Sequence, residues 1–76
     1  MSRGVLFAYK VVPLDPEITD PDEAEAAAIA SVRDELTEEL LRQNATRDEI
    51  LGGRWRTRAS QDPDEVVVVA AVIVHR

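Results

Sequence analysis

The chain contains no cysteine. Disulfides, zinc–thiolate sites, iron–sulfur clusters and cysteine nucleophiles are therefore excluded. Aromatic residues make up only 4% of the sequence and are confined to Phe7, Tyr9 and Trp55. Glycine is sparse, and Gly52-Gly53 is not followed by the lysine–serine or lysine–threonine pair that a phosphate-binding loop requires. The longest apolar run, Val66 to Val74, spans nine residues, against the ~20 needed to cross a bilayer as a helix. No charged-then-apolar leader opens the sequence, so a cytoplasmic location is expected, with no membrane association.

The 76 residues allow one domain, and 45% hydrophobic with 32% charged residues is an ordinary globular composition. Fifteen acidic against nine basic side chains give a net charge of -6. That excess argues against nucleic acid and anionic membranes as partners, since both need a cationic surface. The charge is unevenly spread. Residues 13–51 hold twelve acids and three bases, and the rest hold six bases and three acids. Arginine outnumbers lysine eight to one beside abundant alanine, valine and aspartate, the bias of a GC-rich bacterium or bacteriophage. A domain this small buries only about 60% of its unfolded surface, so without disulfides its core calls for an oligomeric contact.

The pattern predicts an α+β fold: one β-α-β-β domain, a three-stranded antiparallel sheet and one long helix packed on one face. A first strand, β1, is expected over 4–14, where VLFAYKVVPL is rich in β-branched and aromatic residues. Its alternation puts Val5, Phe7, Tyr9 and Val11 on one face and Leu6, Ala8, Lys10 and Val12 on the other. A helix is expected over 21–43, with Asp20 as N-cap, Pro21 at the first position and acids in the first turn. Ile29, Val32, Leu36 and Leu40 form its apolar stripe. Thr46 and Glu49 have capping-box spacing and predict a helical turn over 46–51; one helix bent near Asn44 is the competing reading.

A second strand, β2, is expected over 54–60, where Arg54, Arg56 and Arg58 alternate with Trp55, Thr57 and Ala59. A third, β3, is expected over 65–75. It is apolar on both faces, as a central strand is, whereas the arginines of β2 suit an edge. The expected order is β1-β3-β2, with a right-handed crossover from β1 through the helix to β2.

One helix covers one face of such a sheet, and the other face stays apolar. Exposed patches of that kind mark association sites. The residues expected to carry self-association are Val66, Val68, Val72 and Val74 with Phe7 and Tyr9; the alternate set on β3 is Val67, Val69, Ala71 and Ile73. A homo-oligomer, with a dimer favoured, is the expected partner state, and a heterologous protein is the alternative cover. Candidate partner-binding residues are Arg54, Trp55, Arg56 and Arg58, and on the helix Asp34, Glu35, Glu38 and Glu39.

No catalytic, cofactor or metal site is expected. The acidic stretches lack the central glycine and spacing of a calcium loop, and so short a chain has little room for a pocket holding two carboxyls. His75 has no spacing relation to Ser2, Ser31 or Ser60 that suggests a nucleophilic triad. The expected function is that of a non-enzymatic protein–protein interaction module that self-associates through its apolar sheet face. The alternative is a small acidic inhibitor or adaptor, phage-encoded in one version, whose carboxylate-rich helix face fills a basic cleft on a host protein.

Overall fold

A run rich in β-branched and aromatic residues, closed by a proline, sets the first element of the computed structural model, which describes residues 3–75. In chain order the elements are β1 (Arg3–Pro13), α1 (Pro21–Arg42), α2 (Arg47–Leu51), β2 (Arg54–Ala59) and β3 (Glu65–His75). The sheet order is β1-β3-β2 and both pairings are antiparallel. Pro13 ends β1, and the Leu14 N–H continues inward to the Asp64 carbonyl at 2.7 Å. No helix among the described residues is long and apolar enough to cross a membrane.

Local chemistry bounds α1 at both ends. Asp20 is extended and its carboxylate accepts the Asp22 N–H at 3.0 Å, while Pro21 occupies a first-turn position where no intrahelical donor is lost. At the other end Asn44 takes a left-handed φ of 72°. The Ala45 N–H donates to the Leu40 carbonyl at 3.1 Å and the Asn44 N–H to the Leu41 carbonyl at 3.0 Å. These two bonds are the Schellman pattern, which closes orphan carbonyls and turns the chain sharply. The helix is therefore not bent near Asn44 but ended there, and α2 is a separate element. Its capping box is complete: Thr46 Oγ1 accepts the Glu49 N–H, and Glu49 Oε1 accepts the Thr46 N–H.

The core lies between α1, α2 and one face of the sheet. Val32, Leu36 and Leu40 are buried as their spacing predicts, but Ala28 rather than Ile29 completes the buried row, with Ile29 packed at its flank. Ala28 lies beside Val12, Leu14 and Ile18; further along the helix, Ala8 pairs with Ala70, which pairs with Trp55. The indole fills space that the two small residues leave under the helix. Arg33 lies over the ring, 5.1 Å from its centroid. Gly53 is required where α2 meets β3: a Cβ there would stand 3.0 Å from both the Ala71 carbonyl oxygen and a Val72 methyl.

Burial decides which face of β3 meets the helix. Val68, Val72 and Val74 are buried and Val66 is packed against the core, so this expected self-association set lies beneath α1 and is closed to a partner. The reason is parity. Antiparallel register keeps Trp55 on the same face as Ala70 and Ala8, and the even-numbered β3 residues go with them. Phe7 and Tyr9 lie on the opposite, exposed face.

Core position and surface position should separate clearly in urea denaturation. Leu40→Ala is expected to lower stability by about 2–5 kcal/mol through lost contacts and a residual cavity. Arg42→Ala removes only exposed pairs with Glu38 and Glu39 and should change it by less than about 0.5 kcal/mol. Similar losses for the two variants would contradict this packing.

Candidate functional site

The uncovered face of the sheet is built by three strands whose side chains fall into cross-strand rows. Phe7 stands opposite Ala71, which stands opposite Arg54; Tyr9, Val69 and Arg56 form the next row; Val11, Val67 and Arg58 the third. Val5 and Ile73 extend the apolar part beyond the end of β2. Exposure is 49% at Val5, 58% at Phe7, 72% at Tyr9, 45% at Val11 and 52% at Ile73. The face thus grades from aromatic and aliphatic along β1, through aliphatic on β3, to cationic along β2.

Among the described residues, Arg54, Arg56 and Arg58 take part in no ion pair within the chain. By alternation Glu65, at the far end beside Pro13, is the acid that falls on this face. The remaining acids of the chain belong to the helical side and the connections. The molecule is therefore a two-sided slab, with a cationic, aromatic sheet face and an anionic helix face.

The expected partner-binding residues do not come together. Trp55 points beneath α1, away from the arginines, and its buried indole N–H has no hydrogen-bond acceptor. Asp34, Glu35, Glu38 and Glu39 lie on α1, where Glu35 pairs with Lys10, and Glu38 and Glu39 pair with Arg42. What the arginines share a face with is Phe7 and Tyr9. That juxtaposition is invisible in any one strand and follows only from the register across β3.

Both sheet edges are partly stoppered by side chains of the helical layer. Gln43 Nε2 donates to the Phe7 carbonyl at 3.0 Å on the outer edge of β1. Glu25 Oε2 accepts from Thr57 Oγ1 at 2.8 Å and from the Thr57 N–H at 3.4 Å on the outer edge of β2. Occupied edge groups reduce strand-to-strand addition. The face, not the edge, is the larger opening.

Two concavities flank β1. A cleft of about 430 Å³ between its C-terminal half and the first turns of α1 is lined mainly by apolar groups, among them Val12, Leu14, Ile18, Ala24 and Val32. A groove of about 520 Å³ beside Tyr9 and Lys10 carries Glu35, Glu38, Glu39 and Arg42. Neither holds a nucleophile beside a base. Ser31 Oγ donates to its own helix at the Ala28 carbonyl, and Ser60 Oγ accepts the Asp62 N–H in the β2–β3 loop. His75 sits at the opposite end of β3, opposite Arg3, and Ser2 lies outside the described residues. No three histidine, aspartate or glutamate side chains among the described residues converge to hold a metal ion. Comparison with known protein families, curated proteins and solved structures finds no match for this chain.

The edge contact of Glu25 is directly testable. Glu25→Ala should lower stability by about 0.5–1.5 kcal/mol and speed amide exchange at Thr57, because the carboxylate is the acceptor for that residue. Glu25→Gln, which keeps an acceptor oxygen, should recover most of the loss. Unchanged exchange at Thr57 in the alanine variant would remove the stopper from the account.

Proposed function

We propose that this protein is a non-enzymatic protein–protein interaction module that self-associates, as a homodimer, through the open face of its sheet. The observation that carries this reading is the contiguous exposure of Val5, Phe7, Tyr9, Val11 and Ile73 on a face that the helical layer does not reach. Each such side chain, already partly buried, would gain on the order of 1 kcal/mol on full burial, a sum that matters to so short a chain. The composition of the face also suits a protein interface. Aromatics and arginine are enriched at such interfaces, and lysine and acids are depleted. The acidic helix face is the weaker candidate for a basic partner, because Lys10 and Arg42 already engage Glu35, Glu38 and Glu39.

Adjacent residues of β3 test the reading. Val69→Asp places a charge on the open face and is expected to give a folded monomer, with wild-type circular dichroism and a dimer Kd raised at least about a hundredfold, since an unpaired charge in an apolar contact costs several kcal/mol. Val68→Asp places the same charge in the core and should unfold the chain. A folded Val69→Asp protein that remained dimeric would sink the proposal.

A further inference from the structure

Resting on that reading of the open face, we infer that two copies close about a two-fold axis running along β3, so that the arginine row of each copy lies over the aromatic row of the other. The face is chemically one-sided, and this restricts how it can meet itself. A two-fold axis crossing the strands within the interface would put β1 over the partner's β1 and β2 over the partner's β2. The row Arg54, Arg56 and Arg58 would then lie over the partner's arginine row, with no carboxylate on the face nearer than Glu65 at its far end. Like charges brought face to face along one rim repel each other and gain no partner.

An axis along β3 does the opposite. It leaves each row at its own height and reverses its direction, so Arg56 lies over the partner's Tyr9, Arg54 over the partner's Phe7, and Val69 over the partner's Val69. A guanidinium over an aromatic face is attracted by the ring quadrupole and stacks flat on it. The two arginine rows then occupy opposite rims. With two strand spacings of ~4.8 Å and a sheet separation of ~10 Å they stand about 14 Å apart, beyond the Debye length at physiological salt. Because β2 is an edge strand, the guanidinium groups stacked on the partner's rings keep their outer edges in solvent at the rim.

Packed sheets rotate by about 30° relative to one another, and the central row moves least. Tyr9 and Arg56 occupy that row. Two strands of 11 residues and one of 6 present roughly 450 Å² per copy, about 900 Å² in all, just under the ~1,000 Å² that marks a specific interface. In so small a contact the orientation of the arginine–aromatic rows decides which symmetry prevails.

The absence of cysteine makes the arrangement readable by site-directed cross-linking. Val11→Cys and Arg58→Cys chains, which alter the third row and leave Tyr9 and Arg56 in place, are mixed and treated with a short bismaleimide, with solution mass measured in parallel. Cross-links between the two variants, and none when either is treated alone, are expected. A dimeric mass without the mixed cross-link, or a cross-linked homodimer of either variant alone, would overturn the axis along β3 while leaving self-association intact. A protein monomeric at every concentration would overturn both, and a shift of that monomer by a single-stranded oligonucleotide would assign the arginine–aromatic face to nucleic acid instead. Arg56→Ala and Tyr9→Leu should each raise the dimer Kd roughly five- to thirtyfold, without adding in the double variant, and Tyr9→Phe should leave it near wild type.

Discussion

An arginine cannot be placed beneath a helix without a carboxylate to meet it, and this protein has three in alternation on β2. That constraint orients the whole sheet. Once Arg54, Arg56 and Arg58 point away from α1, Trp55 and Thr57 point toward it, and antiparallel register carries the choice across β3 to β1. Val68, Ala70 and Val72 enter the core, while Val67, Val69, Ala71 and Ile73 remain with Phe7 and Tyr9 outside. The core composition thus depends on charges that never touch it.

The helical layer matches the face it receives. Leu36 and Gln43 border Ala8, Ala28 borders Val12, and Trp55 packs against the core from β2. Both ends of α1 are fixed by local chemistry, Asp20 with Pro21 at the start and the Schellman turn at Asn44. That turn delivers Thr46 to cap α2, whose Ile50 closes the end of the core. The layer is then complete, and nothing remains in the described chain to cover the second face. A two-layer domain of this size is left with an apolar surface as a consequence of its length.

Much of this is legible in the sequence, because the devices involved are local. Caps, the helical stripe, the arginine alternation and the doubly apolar last strand give the element order and sheet order directly. The choice of face on β3 is not local. Valines alternate with valines there, so hydrophobicity carries no parity, and the answer sits in the register that the 60–64 connection imposes between Ala59 and Val66. The same gap hides the interaction surface. Alternation in β2 separates its arginines from Trp55 but does not say which aromatic residues they join; in space they share a face with Phe7 and Tyr9. Ile29 stands at the flank of the helix stripe for a related reason: periodicity marks an apolar side but not which of two adjacent residues, Ala28 or Ile29, faces the sheet squarely.

The functional account follows from this sorting of charge. A helix face rich in carboxylates and a sheet face rich in rings and guanidinium groups are held apart by one sheet thickness, so each surface acts on its surroundings largely on its own. The open face combines the apolar area that favours burial with the cationic margin that restricts how burial can occur. Its use as the contact between two copies is most directly tested by light scattering of the wild-type protein over a hundredfold concentration range. The account predicts twice the chain mass, falling toward the chain mass only at the dilute end. A constant single-chain mass throughout would contradict it.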